Sequence, residues 1–160
     1  MPATPQREDF RDAFGRFATG VAVITSAAER GTGGMTANAL CSLSLDPLLV
    51  LVCFAESART LPLVKEAGRF AINILRVGQE GVAAHFASKV PEHEKLDGVA
   101  HRFEQGVPVL EDALAWAACD LEDIRPGDDH SIAIGAVTAL GYGEGEPLVY
   151  YRGAYARLKR

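Results

Sequence analysis

The chain has 160 residues, 48% hydrophobic and 23% charged, the proportions of one globular domain large enough to bury a core. Its net charge of -5 and pI near 5.4 exclude the basic surface that nucleic-acid phosphates require. No apolar run reaches the roughly 20 residues that span a bilayer, and residues 1–7 lack the apolar centre of a signal peptide. Cys41, Cys53 and Cys119, odd in number and set in apolar segments, read as buried free thiols of a cytoplasmic protein.

Residues 7–18 carry Phe10, Phe14 and Phe17 at i, i+4 and i+7, which predicts a helix whose aromatic stripe packs in the core. Gly20 ends it, and the β-branched run 21–26 predicts a strand. A glycine-containing loop at 29–34 leads into the stretch 34–47, read as a strand with Thr36, Asn38, Ser42 and Ser44 on one face. Asp46-Pro47 turns the chain into the apolar strand 48–54. Hydroxyls and an amide aligned beside an apolar hairpin suit a polar, hydrogen-bonding ligand. A solvated strand face would carry the same pattern, and periodicity leaves both readings open.

Ser57 is placed to cap a helix over 58–67 that Gly68 stops. With Arg59 and Thr60 in its first turn, that N-terminus suits an anion such as phosphate, although ordinary capping with a surface arginine explains the same residues. Residues 70–75 alternate around Asn73 as a strand, and 79–87 form a short helix presenting Val82, His85 and Phe86 on one side. Residues 88–105 are polar, with Glu92-His93-Glu94-Lys95 read as a solvated loop; His93 and His101 have no partners at metal-ligand spacing. A strand is predicted over 113–121, a turn at Gly127-Asp128-Asp129-His130, and over 131–138 a strand buried on both faces. A hairpin loop at 141–146 precedes a last strand, 147–155. Many closely spaced strands with two or three short helices predict a mainly β fold, an antiparallel barrel with peripheral helices.

The chain lacks a Gly-x-Ser-x-Gly elbow, a P-loop, a His-Glu-x-x-His pair and a Cys-x-x-Cys motif. Gly31-Thr32-Gly33-Gly34 precedes a strand, not a helix, so it is no dinucleotide fingerprint. An ordered set of weaker motifs remains. Thr19-Gly20-Val21, Val23-Ile24-Thr25, Gly34-Met35-Thr36-Ala37-Asn38 and Ser44-Leu45-Asp46-Pro47 come first. Ser57 and Thr60, residues 70–75, Phe86-Ala87, Asp129-His130 and Tyr150-Tyr151-Arg152-Gly153 follow. From about Phe10 to Leu158 this set resembles the flavin reductase family of the FMN-binding split-barrel fold, the small partners of two-component flavin-dependent monooxygenases.

The resemblance implies one homodimeric domain over 1–160 that binds FMN or FAD without a covalent bond. Met35, Thr36, Ala37, Asn38, Ala39 and Ser42 would line the flavin and its ribityl chain, and Cys53, Phe54 and Ala55 would run along the isoalloxazine edge. Ser57, Arg59 and Thr60 would take the phosphate, with His85 and Phe86 near the distal part of the flavin. His130 and the segment Tyr151-Arg152-Gly153, with Tyr155 nearby, would form the nicotinamide side. Ala39 and Cys41 stand where the family motif has hydroxyls, Asp128 is an additional acid before Asp129, and Ala136 replaces a glutamate.

The implied chemistry is hydride transfer from NADH or NADPH to the flavin, with His130 positioning the nicotinamide. Reduced flavin would then pass to an oxygenase partner. A flavin-holding electron carrier without NAD(P)H turnover, and a small-molecule barrel without flavin, are the competing readings.

Overall fold

The computed structural model describes residues 4–159. The sequence reading of the N-terminal stretch therefore falls in part on Met1–Ala3, outside the described residues. Helix α1 (Arg7–Phe14) is followed by strands β1 (Thr19–Gly20), β2 (Ala22–Ala28), β3 (Gly31–Ala37), β4 (Leu40–Leu45) and β5 (Leu48–Ala55). Helix α2 (Thr60–Ala67), strand β6 (Arg69–Ile74), helix α3 (Glu80–Ala87) and a 3-10 turn (Glu92–Glu94) come next. Strands β7 (His101–Glu104), β8 (Val107–Leu110), β9 (Ala115–Gly127), β10 (His130–Tyr142), β11 (Val149–Tyr151) and β12 (Ala154–Ala156) complete the order.

Seven strands form one antiparallel sheet in the order β3-β2-β6-β9-β10-β5-β4. Its two edges, β3 and β4, are consecutive in the chain and separated by Asn38 and Ala39 alone. Ala37 and Leu40 are therefore at most roughly 11 Å apart along the backbone, so the sheet has to curl until its edges meet. This is the expected barrel. The expected single strand over 34–47 is corrected: it is two strands at opposite sheet edges, and the bend between them breaks the shared face of Thr36, Asn38, Ser42 and Ser44.

Strand β2 and the residue before it are buried from Val21 to Ser26, on both faces. Alternation divides them. Ala22 and Ile24 enter the barrel core with Phe54, Phe70 and Ile72, while Val21 and Val23 join Leu75 and Phe86 beneath α3. A third layer sets β8, through Val107 and Val109, against Ala71 and Ala118. Its pinning is polar and internal. Asn73 Nδ2 donates to Val23 O at 3.0 Å and to Thr25 Oγ1 at 3.1 Å, and Leu110 N donates to Asn73 Oδ1 at 2.8 Å. Thr25 Oγ1 in turn donates to Pro108 O. Each member of this buried cluster has a partner, the condition under which buried polar groups order a core.

Several local expectations change. Helix α1 forms, but Phe10, Phe14 and Phe17 are 60%, 64% and 75% exposed, so the stripe is not core packing. Helix α2 begins at Thr60 with Arg59 as N-cap and no side-chain cap; Ser57 lies outside it, while Gly68 closes it at φ 65° as expected. Residues 88–105 contain the 3-10 turn and β7, and Lys95 is 1% exposed, not solvated. Strand β10 alternates buried and half-buried residues from Ser131 to Ala136, with one open face. The expected last strand is a hairpin, β11 and β12, turning on Arg152 and Gly153 at φ 49° and 78°. All three thiols are free, yet only Cys119 is buried: Cys41 is exposed and Cys53 half-buried.

Gly135 of β10 is closely packed against the core. A Cβ there would lie 2.6 Å from Phe70 Cζ and 2.9 Å from Cys119 Cβ. Gly135→Ala is expected to destabilise the protein by about 1–3 kcal/mol through overpacking. Thermal unfolding would show it as a drop of about 2–4 °C per kcal/mol, and an unchanged melting temperature would contradict this packing.

Candidate active site

The site grows from the bend between β3 and β4. Asn38 and Ala39 lie outside both strands, so their backbone is free of the regular ladder. Cys53 N donates to Ala39 O at 2.9 Å, which lays the bend against the end of β5. Asn38 Nδ2 donates to Thr19 Oγ1 at 3.2 Å, and Thr19 pairs with Tyr150 of β11. Asn38 thus stands between the barrel edge and the C-terminal hairpin. Three clefts, of about 680, 260 and 210 Å³, meet at it.

The largest cleft is walled by Phe10 and Phe14 of α1 on one side and by Tyr150, Arg152 and Gly153 on the other. The smallest is lined by Thr36, Ala37, Tyr150 and Tyr155. Thr36 turns its hydroxyl to Ala83 O of α3 at 2.5 Å, fixing β3 to that helix. The Tyr150 and Tyr155 rings meet edge to face at 5.9 Å, and burial first, then Tyr150 and Glu80, raises the Tyr155 phenol. Arg152 N donates to Gly15 O at 2.9 Å, tying the hairpin turn to the end of α1.

His130 approaches from the β9–β10 turn. It pairs with Ala55 of β5, so it follows Asn38 and the Cys53–Ala55 strand end across the sheet. Its Nδ1–H donates to Asp129 Oδ1 at 2.7 Å. That bond, then the charge of His130, holds the Asp129 carboxyl below its ordinary range, with a smaller contribution from Arg7 of α1. Helix α1 ends on the Arg152 turn. Beside His130, Ser131 Oγ donates to Glu56 Oε1, and Glu56 N donates to Asp129 O at 2.9 Å, which places the exposed Ser57 in the same neighbourhood.

Other expected site residues are turned elsewhere. Phe54 and Phe86 are core side chains, and Met35 packs against the barrel core. Ser42 is exposed on β4. Thr60 is fully buried and its hydroxyl donates to Glu92 Oε1. Arg59 Nη2 donates to Val90 O at 2.8 Å and lines a separate groove of about 320 Å³ with Arg30, Thr32 and His93. Thr32 and Asn38 lie six residues apart along β3 and its end, roughly 20 Å at strand rise, so that groove and the Asn38 clefts are distinct.

His85 is held by a residue the sequence reading passed over. Its Nε2 lies 2.9 Å from Lys95 O, and Lys95 Nζ donates to the carbonyls of His85 (3.1 Å), Phe86 (3.1 Å) and Ser88 (2.6 Å). A cation thus closes the C-terminus of α3, where the helix leaves carbonyls without partners. Burial lowers the Lys95 ammonium from its ordinary value; Glu92 opposes the shift and Arg59 adds to it. The place of Phe10 and Phe14 on a cleft wall, and Thr19 as the hydrogen-bond partner of Asn38, were also missed. Polarity gave no signal for Lys95, since a lysine directly after Glu92-His93-Glu94 reads as solvated.

Lys95→Met is expected to destabilise the protein by about 2–3 kcal/mol, because one charged donor serves three carbonyls. With the folded pKa below the unfolded one, the unfolded chain holds more protons between the two values, so this group's contribution rises with pH there. Urea unfolding of both proteins at neutral and alkaline pH checks the magnitude and the slope. A second test is an NMR titration of Asp129, whose carboxyl should titrate higher in His130→Ala.

Residues 14–159 match the flavin reductase like domain family. The chain is 42% identical over 152 residues to an NADH-dependent flavin reductase of Rhodococcus, covering 93% of this chain and 85% of that protein. It is 42% identical over 153 residues to the reductase component of 4-hydroxyphenylacetate 3-monooxygenase of Thermus thermophilus, covering 95% and 97%. Among solved structures, the NADH:FAD oxidoreductase SgcE6 of Streptomyces globisporus, in complex with NAD and FAD fragments, superposes with a TM-score of 0.91. That likeness is at 30% identity and covers 99% of this chain and 98% of the other. Fold and site define a split-barrel oxidoreductase. The chain belongs to the flavin reductase-like family.

Proposed function

We propose that this protein is an NADH-dependent flavin reductase that supplies reduced FMN or FAD to a flavin-dependent oxygenase. The observation that carries the reading is the convergence at Asn38. Asn38 shares a cleft with Arg152 and Gly153, the adjoining Ala39 is bonded to Cys53 N at the end of β5, and His130 pairs with Ala55 two residues further along that strand. The residues present fit a flavin: an amide at the bend, two tyrosine rings beside it, and an Arg152 guanidinium with no ion pair among the described residues. When bound, a flavin supplies the hydride acceptor for the dihydronicotinamide.

The protein's part is placement. Asn38, anchored to Thr19, presents polar atoms at a fixed height on the barrel edge. His130, held through Nδ1 by Asp129, keeps Nε2 free to orient a carboxamide. Ala39 and Cys53, small and joined by a backbone bond, let a flat ring approach the strand ends. The exposed Ser57, on the loop after Ala55, is the hydroxyl best placed for a flavin phosphate, while Thr60 supports that loop through Glu92. Two copies would form the working unit, for the β4–β5 hairpin exposes Leu43, Leu45 and Leu48, and β10 exposes Leu140 and Tyr142. The reading places the enzyme in the cytoplasm, and among the described residues no helix is long and apolar enough to cross a membrane.

NADH oxidation, followed with and without FMN or FAD, tests the proposal directly. Turnover that depends on added flavin is expected. Flavin binding without turnover by NADH or NADPH would shift the assignment to an electron carrier. His130→Ala should slow flavin reduction roughly 10- to 100-fold, the cost of a misplaced reactant, while flavin affinity changes far less. Unaltered reduction kinetics would remove His130 from the site.

A further inference from the structure

Glu56 is the first residue beyond β5; it is exposed and lines none of the three clefts that meet at Asn38. Its bonds go instead to the two chain neighbours of His130. Glu56 N donates to Asp129 O at 2.9 Å, and Glu56 Oε1 accepts from Ser131 Oγ. Ser131 is only 4% exposed, so its hydroxyl has little access to water and the carboxylate supplies the acceptor.

The bonds sit where the regular ladder runs out. Ala55 and His130 are the last pair between β5 and β10, because β5 ends at Ala55 and β10 starts at His130. On the other side His130 pairs with Gly127 across the two-residue turn Asp128-Asp129, in which Asp128 holds φ 57°, the region that favours glycine. Strand ends open most readily, and a side chain in that region adds a cost, so a tie from outside the turn has something to hold. The two acids divide the task. Asp129 Oδ1 accepts from His130 Nδ1–H at 2.7 Å and orients the ring, whereas Glu56 fixes the chain on either side of it.

We propose that Glu56 is a positioning residue for hydride transfer: through Asp129 and Ser131 it fixes His130 at the end of β5, and with it the nicotinamide that His130 orients. The inference rests on the reductase reading for the reaction. Glu56 acts on the rate only through His130, as a support behind a group that meets the reactant. Because Ser57 follows it, the same tie sets the His130 turn against the loop proposed for the flavin phosphate.

The kinetics of a small set of variants test the tie. Glu56→Ala, at an exposed position, and Ser131→Ala should each lower kcat for flavin reduction by NADH about tenfold, the cost of a slightly misplaced reactant, while FMN affinity holds. The double variant should be no slower than either single one, since both remove the same bond. Glu56→Gln keeps an acceptor oxygen and should retain most of the rate. In a His130→Ala background, Glu56→Ala should cost nothing further. An unaltered rate in Glu56→Ala, a loss that multiplies with that of His130→Ala, or a Glu56→Gln as slow as Glu56→Ala would overturn the proposal. NMR reads the tie without turnover: the ring shifts of His130 should move in Glu56→Ala and return in Glu56→Gln. Ring shifts that stay fixed in Glu56→Ala would also overturn it. Shifts that move as expected, in a protein that never oxidises NADH, would keep Glu56 as the support of His130 and refute the reductase reading.

Discussion

The two-residue passage from β3 to β4 is the constraint on which this structure depends. Consecutive strands at opposite edges of a seven-stranded sheet can be joined by Asn38 and Ala39 only if the sheet closes on itself. Closure packs Ile24, Phe54, Phe70 and Ile72 inside. It also leaves the joining residues unable to take part in regular pairing. Both residues are exposed at the barrel edge, and the same step that completes the fold creates the place where a polar ligand can be held.

Around that bend the outer layers are positioned by buried polar groups. Asn73 and Thr25 hold β8 to the outside of the sheet, and Lys95 closes α3, which Thr36 ties back to β3. Such clusters contribute modest net energy when complete and cost more when one member is lost. Their value here is geometric. The height of α3 over β3, and so the shape of the cleft around Thr36 and Ala37, follows in part from a lysine whose ammonium is spent on three carbonyls at the end of α3.

The hydride-transfer geometry asks for two walls that do not belong to one element. One is the bend with the β5 end. The other is made of turns, Asp129-His130 and Arg152-Gly153, the second bonded to the end of α1. Turns can present side chains and backbone at a fixed angle because the strands behind them are rigid. Helix α1 has no buried residue of its own and is tied at its end by the Gly15–Arg152 bond, which leaves its aromatic face exposed.

The mainly β class, most strand positions, the Asp46-Pro47 turn, Gly68 as a helix stop and the family were all legible in the sequence, because period-two patterning and turn chemistry are local properties. The same local signals misassigned particular residues. The parity of Thr36, Asn38, Ser42 and Ser44 assumed a continuous strand, and one bend cancelled it. Phe10 and Phe14 have the spacing of a core stripe, yet which face of a helix is covered depends on what packs there, and periodicity carries no such information. Lys95 reads as solvent-exposed by type and is buried because the end of α3 supplies three carbonyls from residues seven to ten positions away. Sequence alone thus determined the elements and the kind of chemistry. Tertiary structure decided which residues meet at Asn38, since barrel closure joins residues far apart in the chain that no local pattern relates.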